Sequence, residues 1–405
     1  MAQRALTIAR RWARTPLPLR IALIYLAARV VTTVFFVLAA SASTSLSRFG
    51  ADAGLADFVV GWDAQWYWMV AEYGYPSTLE LTAAGTVAEN QWAFMPFFAY
   101  AAKAVGWVFG SWGVGAFLVS FLAGYGACLA LHRLLRDRIG SSAALWAVVF
   151  FAAGPLAAMF QVGYAETLFL LLLFLALDAV VRRHYVWLYV LIPVMGFTRP
   201  GILAFALLLG LHGIGRWMRR RTDPLPRRDV VHIVATGALA TLVGFSWQVV
   251  AGLVTGDMGA YLATELAWRQ HWVAGGVAGF VPFEGWVQAS QFWFAQWGLP
   301  SWSGPIALAG LVVLAALGLL RSPQVRALGV DLRLWSASYL LYLLAVFFPQ
   351  SSTFRLLLPL SPLWGAVAVP RSRIWRGSVL LVCLVAQWAW IYPMYALGNT
   401  FWQVP

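Results

Sequence analysis

The sequence predicts an all-α polytopic membrane protein, on two observations. Of its 405 residues, 61% are hydrophobic and 11% are charged, whereas an ordinary soluble domain carries about 25% charged residues. Apolar stretches long enough to cross about 30 Å of hydrocarbon recur from residue 21 to residue 397. We therefore expect residues 1–405 to form a single transmembrane domain of about 11 spans, with no separate soluble domain.

The net charge of +13 is distributed in clusters between the apolar stretches. A basic patch can mark nucleic-acid binding, but short loops rich in arginine are also the bias that fixes membrane orientation. The clusters lie at residues 4–20, 133–138, 182–183, 216–228, 321–333 and 371–376. We therefore place these segments in the cytoplasm and expect membrane lipids, and no nucleic acid, as partners.

The positions of the N-terminal segment, the first span and the first external loop follow from this membrane orientation. Residues 1–20 are basic and are expected in the cytoplasm, so the first span, residues 21–40, leads outward. It shows no small-residue cleavage site and is expected to stay as a signal anchor. Residues 41–91 hold six acidic side chains against Arg48 alone. Residues 41–112 are therefore expected to form a large first external loop.

The end of that loop is predicted to be an interfacial helix. Residues 92–110 contain Pro96 and Lys103 and are amphipathic, which is typical of a helix lying at the membrane surface. Counting this segment as a span would place the arginines at 133–138 outside. We expect it to remain at the outer interface.

The later spans alternate in direction. They are predicted at residues 114–131, 142–159, 166–181, 230–254, 305–320, 334–348, 356–369 and 378–395. Residues 185–210 form two short halves around residues 198–201, which predicts a broken hairpin that is buried in protein or lines a cavity. Residues 256–304 are expected to form a second large external segment. The halves share no inverted hydropathy, which disfavours a transporter.

The densest candidate site lies at residues 61–76. At helical spacing Asp63, Trp66, Tyr67 and Val70 share one face, which would hold a carboxylate beside a wall of rings, like a sugar platform with a base. The alternative for the rings is an aromatic belt at the membrane interface. A carboxylate among rings loses hydration, so Asp63 is expected to be paired or functional.

Further polar residues fall at the outer ends of spans. Glu166 is expected either to orient substrate or to pair with Arg199. Arg199 and Arg355 can offer planar donors to a lipid phosphate, or can snorkel to headgroups. Arg269 and His271 form a second cluster that either contacts phosphate or acceptor, or belongs to a solvated loop face.

Five segments carry a family resemblance. Trp62-Asp63 is followed by Val-Ala-Glu-Tyr-Gly-Tyr at residues 70–75, and the other segments are residues 94–97, 164–169, 196–201 and 350–359. Together, from about residue 20 to 365, they resemble the PIG-V-like mannosyltransferases of the GT-C superfamily. Two departures, Met95 in place of Phe and Leu-Ser-Pro after Pro359, concern the details of donor or acceptor recognition.

The resemblance implies a GT-C-like bundle that transfers mannose, with inversion, from polyprenyl-phosphate-mannose to a glycolipid or glycan acceptor on the non-cytoplasmic face. It implies Asp63 as the general base on the acceptor hydroxyl. One carboxylate suffices because the donor is already a phosphodiester, whose phosphate leaves without protonation. The expected phosphate ligands are Arg199, Arg355 and Arg269, and the expected substrate contacts are Trp62, Gln65, Trp66, Tyr67, Glu72, Tyr164, Glu166 and His271.

No cofactor or metal is expected. Asp52, Asp57 and Asp63 are not packed as a metal cage, the resemblance implies chemistry without a cation, and the sequence has no glycine-rich phosphate loop. Another sugar on the same carrier, such as arabinose, remains open, as does a lipid-linked substrate transporter or flippase. High Ala, Arg and Trp usage fits a GC-rich bacterial genome, which predicts the bacterial plasma membrane with a periplasmic active site.

Overall fold

The regular secondary structure is helical in the residues that the computed structural model describes, which are 14–269, 279–350 and 352–398, apart from an isolated β-bridge between Leu81 and Val87. This confirms the predicted all-α class. In chain order the α-helices are α1 Leu17–Ser41, α2 Leu55–Val60, α3 Asp63–Tyr73, α4 Pro96–Trp107, α5 Trp112–Ile139, α6 Ser141–Ala152, α7 Glu166–Val181, α8 Leu188–Gly196, α9 Ile202–Met218, α10 Arg227–Thr255, α11 Ala260–Ala267, α12 Glu284–Gln296, α13 Ser303–Arg321, α14 Pro323–Ala327, α15 Val330–Val346, α16 Thr353–Leu356, α17 Trp364–Ala368 and α18 Arg373–Ile391. Turns of 3-10 helix occupy Gln91–Ala93, Ala157–Phe160, Tyr185–Trp187 and Leu358–Leu363, and a π-helix, Tyr392–Leu397, continues α18.

Five of these helices are long and apolar enough to cross a membrane, namely α1, α5, α10, α13 and α18 with its continuation to Leu397. Each coincides with a predicted span. Only 6% of the apolar window of α13 is buried inside the protein, which is typical of a helix that faces lipid. The chain is therefore an integral membrane protein. Other predicted spans coincide with shorter apolar helices such as α6 and α9, so the count of 11 remains a prediction.

Helix α6 ends earlier than predicted, at Ala152, because Gly154 and Pro155 interrupt it. Buried Arg29 of α1 compensates for this break. Its guanidinium donates to the carbonyl oxygens of Ala152 and Ala157, one on each side of the interruption. Backbone carbonyls inside a membrane protein need such internal donors, since lipid supplies none.

The predicted interruption at residues 198–201 is present, and the hairpin itself stays a prediction. Helix α8 ends at Gly196 and α9 begins at Ile202. Pro200 cannot continue a helix, and Gly201 adopts φ +129°, which side-chain-bearing residues rarely adopt. The turn between the two helices carries Arg199.

Helix α4 agrees in length with the predicted interfacial helix. Its 12 residues span about 18 Å, less than the hydrocarbon thickness of about 30 Å. It packs directly on α5, where a Cβ on Gly115 would lie 2.1 Å from the carbonyl oxygen of Ala102. This close approach allows Phe98 of α4 to pack edge-on against Tyr67 of α3, with ring centroids 5.1 Å apart.

Helices α7, α9 and α15 connect two polar ends of the bundle through the main hydrophobic core. They contain 16 or 17 residues and therefore bridge about 24 Å. Glu166 and Arg199 lie at one end, which we call the site end. Arg183, Arg216 and Asp331 lie together at the other, the arginine end. A second, aromatic core formed around α3 and α4 covers the site end.

Candidate active site

Asp63 is the first residue of α3 and follows a strained turn. Gly61 ends α2, and Trp62 adopts φ +54°, a conformation that costs a non-glycine residue about 1–3 kcal/mol. A Cβ on Gly61 would lie 2.5 Å from the ring of Phe49, so the turn also needs a glycine. Strain of this kind is concentrated at functional sites, and here it aims the carboxylate of Asp63 at the bundle.

The indole of Trp62 fixes this turn. Its Nε1–H donates to the carbonyl oxygen of Met394 at 2.9 Å, and the guanidinium of Arg48 lies 4.1 Å from the ring centroid. Both contacts are with the protein itself, and the side chain is buried. Trp62 therefore positions Asp63; its predicted contact with substrate stays a prediction.

Glu166 is the first residue of α7 and lies deeper in the bundle than Asp63. The backbone N–H of Gly163 donates to the carbonyl oxygen of Val59 at 2.9 Å, which ties the segment before α7 to the segment before α3. The side chain of Glu166 is 2% exposed and that of Arg199 is 8% exposed. Charges this deep are expected to be paired, because an isolated buried charge is costly.

Arg355 lies in the four-residue helix α16, which α15 holds in place. The hydroxyl of Tyr339 donates to the carbonyl oxygen of Leu356 at 2.7 Å. One helical turn earlier, the indole of Trp335 donates to the carbonyl oxygen of Pro359 at 2.8 Å. These two bonds fix the irregular backbone that carries Arg355.

Asp63, Glu166, Arg199 and Arg355 meet in one group, which we call the acid–arginine cluster. Nη1 of Arg355 donates to Oδ2 of Asp63 and, at 3.0 Å, to Oε1 of Glu166. Nη2 of Arg199 lies 3.6 Å from the same oxygen of Glu166. The expected pairing of Glu166 with Arg199 is present, and Arg355 is its nearer partner. Two carboxylates thus face two guanidiniums.

The cluster has an accessible and a deep half. The side chains of Asp63 and Arg355 are each 14% exposed, whereas Glu166 is 2% exposed. A molecule approaching from outside would meet the Asp63–Arg355 pair first. The carboxylate proposed as a base is therefore the one that remains reachable.

Burial and the neighbouring charges set the protonation of this pair. Burial raises the pKa of Asp63 above its usual value; Arg355 opposes this shift, and the negative charge of Glu166 adds to it. Burial acts to lower the pKa of Arg355, but the carboxylates of Asp63 and Glu166 outweigh it and raise that pKa. Arg355 therefore stays cationic, and Asp63 is held closer to neutrality than an ordinary aspartate.

Two tyrosines flank the cluster. The hydroxyl of Tyr164 accepts from the backbone N–H of Asp63 at 3.4 Å, and its ring centroid lies 5.3 Å from the guanidinium of Arg355. Burial, together with the charges of Glu166 and Asp63, raises the pKa of Tyr67 well above its usual value. Tyr67 therefore keeps its proton and can donate a hydrogen bond.

The predicted wall of rings is present beside Asp63. Trp66 stacks on Phe94 with an interplanar angle of 8° and a centroid distance of 5.8 Å. Trp268 packs edge-on against Trp66 at 5.6 Å, and its carbonyl oxygen accepts from Gln350 at 2.9 Å. Partly buried Trp66 is thus held by other rings on the same helix face as Tyr67.

Other predicted site residues lie outside the cluster. Gln65 is exposed on α3. Glu72 forms an exposed pair with Lys103 at 3.3 Å, and Arg269 donates to the carbonyl oxygen of Val346. His271 lies outside the described residues. The roles proposed for these four side chains stay predictions.

No group of three or more His, Cys, Asp or Glu side chains within residues 14–269, 279–350 and 352–398 is arranged to hold a metal ion. Sequence reasoning did not identify Met394, Tyr339 or Trp335 as supports of the cluster. Trp335 and Tyr339 are separated by one helical turn, so the sequence does indicate that their side chains share one face of α15. The sequence around Met394 does not indicate a contact with Trp62, because the two residues are 332 positions apart.

Comparison with known proteins finds no matching family model and no matching curated protein. Among solved structures, the chain is similar to the Archaeoglobus fulgidus oligosaccharyltransferase in complex with Zn and sulfate, with a TM-score of 0.45, 16% identity and coverage of 91% of this chain and 53% of that chain. It is also similar to AglB of the same organism in complex with an inhibitory peptide and a dolichol-phosphate, with a TM-score of 0.45, 14% identity and coverage of 92% and 56%. The chain spans about half the length of these proteins. Similarity this weak transfers no activity to the chain.

Proposed function

We propose that the protein is a membrane glycosyltransferase that moves mannose from polyprenyl-phosphate-mannose to a lipid-linked or glycan acceptor, with inversion and with Asp63 as general base. One observation carries this proposal. Asp63 and Arg355, which are 292 positions apart in the chain, converge with Glu166 and Arg199 in a buried but reachable cluster of two carboxylates and two guanidiniums. A base beside planar phosphate donors is what sugar transfer from a lipid phosphate requires.

The reaction can be written from these groups. The acceptor hydroxyl gives its proton to the carboxylate of Asp63 while its oxygen forms a bond to the anomeric carbon of the sugar. The bond from that carbon to the phosphate oxygen breaks, and polyprenyl phosphate leaves with the electron pair. Arg355 and Arg199 stabilise the charge that develops on the phosphate. The leaving group needs no acid, because a phosphate departs as a stable anion.

Substrate binding would reorganise the cluster. The guanidinium of Arg355 donates to both Asp63 and Glu166. A donor phosphate competes for the same planar donors, since guanidinium binds phosphate and carboxylate with similar geometry. Engagement of Arg355 by the donor frees an oxygen of Asp63 for the acceptor. Donor binding would therefore precede activation of the acceptor.

The orientation completes the proposal. We place the site end, with residues 41–112 and 256–304, on the non-cytoplasmic face, which is periplasmic in a bacterium, and the arginine end in the cytoplasm. Helix α7 supports this arrangement because it runs from Glu166 in the cluster to Val181 beside Arg182 and Arg183. About 11 crossings, counting the shorter apolar helices, fit the sequence.

Reconstitution tests the function directly. Purified protein in liposomes is supplied with labelled polyprenyl-phosphate-mannose and with lipids extracted from cells that lack the protein. We expect a labelled glycolipid whose new linkage has the opposite anomeric configuration to the donor. The arabinose-bearing carrier, tested in parallel, identifies the sugar. Passage of labelled carrier across the bilayer without transfer would instead identify a flippase and would contradict the proposal.

The pH dependence of transfer should report the environment of Asp63. Because the base acts when ionised, activity is lost as the pH falls through its pKa, and the raised pKa places this loss above the usual value of about 3.9. Glu166→Gln removes a negative neighbour that raises the pKa of Asp63, so the acidic limb of kcat/KM should move to lower pH. The exposed Asp52→Asn should leave the limb in place. An acidic limb that lies at the same pH or at a higher pH in Glu166→Gln would contradict the assignment of Asp63 as the base.

A further inference from the structure

A polar cavity of about 180 Å³ lies at the arginine end, away from the acid–arginine cluster. Val181 lines it at the far end of α7 from Glu166, a separation of about 22 Å along the helix. Arg216 near the end of α9 and Asp331 at the start of α15 also line it. The cavity is therefore a second site, at the opposite face of the membrane in the proposed orientation.

A hydrogen-bonded chain forms the floor of this cavity. Nδ1 of His212 lies 2.8 Å from the carboxylate of Asp331, and its Nε2 lies 2.8 Å from the hydroxyl of Tyr185. Arg216 donates to that hydroxyl at 3.2 Å and to the carboxylate of Asp229 at 2.7 Å. These hydrogen bonds hold the side chains in place, so the floor is preorganised.

The rim of the cavity carries uncompensated positive charge. Arg183 pairs with Asp223 at 2.6 Å. Arg138 and Arg219 also line the cavity, and neither lies within ion-pair distance of a carboxylate in the described ranges. Two exposed guanidiniums are thus available to an anion from outside.

The start of α15 contributes backbone N–H groups to the cavity, and its first turn also carries the carboxylate of Asp331, which is bonded to His212. Its first residues, Val330 and Asp331, line the cavity, and its N-cap, Gly329, supplies no capping side chain. A Cβ on Gly329 would lie 2.4 Å from Nη1 of Arg138, so Arg138 lies directly over the helix start. Unpaired N–H groups at a helix N-terminus favour anions. Here they share a space with a free arginine.

The cavity is large enough for a phosphate group. Its volume of about 180 Å³ is several times the ≈ 30 Å³ that one water molecule occupies in the liquid. Guanidinium forks match phosphate oxygens in geometry. The ligand that fits is a single phosphate group.

The surroundings of the cavity favour a phosphate that belongs to a lipid. The last turns of α9 expose Ile214, Trp217 and Met218, with 58%, 56% and 75% of their surfaces accessible. The membrane-spanning helices α5 and α10 have their ends nearby, at Ile139 and Arg227. An acyl chain could lie against the exposed apolar side chains while its headgroup enters the cavity. Basic pockets between helices at the cytoplasmic face bind anionic headgroups in this way.

We propose that Arg138 and Arg219, together with the start of α15, bind the phosphate of an anionic membrane lipid of the cytoplasmic leaflet. The site is distinct from the proposed catalytic site and does not depend on transferase activity. Its function would be to anchor and orient the arginine end of the bundle in the membrane.

The test compares three forms of the protein in nanodiscs of phosphatidylcholine, with or without phosphatidylglycerol. These are the wild type, the pocket variant Arg138→Gln/Arg219→Gln, and the control Arg321→Gln/Arg371→Gln, which removes equal charge from exposed arginines outside the cavity. Native mass spectrometry counts retained phosphatidylglycerol. We expect wild type and control to retain it and the pocket variant to retain about tenfold less. Arg138→Lys/Arg219→Lys should retain an intermediate amount, because charge remains without the planar fork.

A parallel measurement distinguishes the source of the phosphate. Inorganic phosphate is titrated against each form in detergent while the Tm is recorded. A phosphate-dependent rise in Tm that the pocket variant lacks, with equal retention of phosphatidylglycerol, would support the anion site and assign it to free phosphate. Equal behaviour of the pocket and control variants in both measurements would overturn the proposal. Arg138 and Arg219 are exposed and bear no ion pair, so the variants are expected to fold.

Discussion

Asp63→Asn is expected to lower the transfer rate by about 10²- to 10⁴-fold while leaving donor binding intact. The amide keeps the shape of the carboxylate but cannot take the proton of the acceptor hydroxyl. Arg355 keeps Glu166 as a partner at 3.0 Å, so the phosphate donors stay in place. The measurements are the initial rate of labelled glycolipid formation and the affinity for the polyprenyl-phosphate donor, made on the same preparation.

The control for this variant is Asp52→Asn, an exposed carboxylate in the same predicted loop. It should transfer sugar at the wild-type rate. Transfer by Asp63→Asn at a rate close to that of the control would remove Asp63 as the base. A flippase would keep translocating carrier in both variants, so the pair of variants also separates the two functions.

Arg355→Gln should impair donor binding more than any other single change at the cluster. A charged hydrogen bond to phosphate contributes about 1.5–3 kcal/mol, so the KM for the donor should rise about 10- to 150-fold. The carboxylate of Asp63 would also lose the cation that lowers its pKa, and the acidic limb of activity should move to higher pH. Donor titrations across a pH series measure both effects.

The conservative variant separates charge from geometry. Arg355→Lys keeps one positive charge but loses the planar fork, so it should restore the position of the acidic limb more fully than the KM. The matched control is Arg321→Gln, which removes one arginine from the exposed end of α13. Its donor KM and its acidic limb should equal those of the wild type. An unchanged donor KM in Arg355→Gln would show that this guanidinium binds only within the protein.

The sequence predicts the members of the cluster and the pairing of Glu166 with Arg199, but not the bonds that Arg355 makes. Asp63, Glu166, Arg199 and Arg355 each lie in a recognisable segment, because a charge beside apolar residues stands out locally. Periodicity relates residues within a few turns of one helix and does not determine which segments meet. The bond between Arg355 and Asp63 depends on the packing of several helices, so it required the structure.

The two interrupted helical segments, after α6 and after α8, also separate what is predictable locally from what depends on packing. Pro200 and Gly201 predicted the interruption after α8 correctly, because both residues restrict the backbone directly. The earlier end of α6 follows from Gly154 and Pro155, which lie inside an otherwise apolar stretch that hydropathy predicts to be one span. The donor that makes this break tolerable, Arg29, belongs to another helix. The cavity at the arginine end is not evident from the sequence, because arginines between apolar stretches are also what fixes membrane orientation.

Under the proposed reaction, the pairing of two acids with two arginines has an electrical consequence. The donor phosphodiester brings one negative charge to a neutral cluster. After transfer, the fully ionised monoester product carries one more negative charge, while Asp63 has gained a proton that cancels it. The total charge at the site is the same before and after the chemical step. The chemical step therefore needs no proton or counterion from the surrounding water to keep the charge of the site constant.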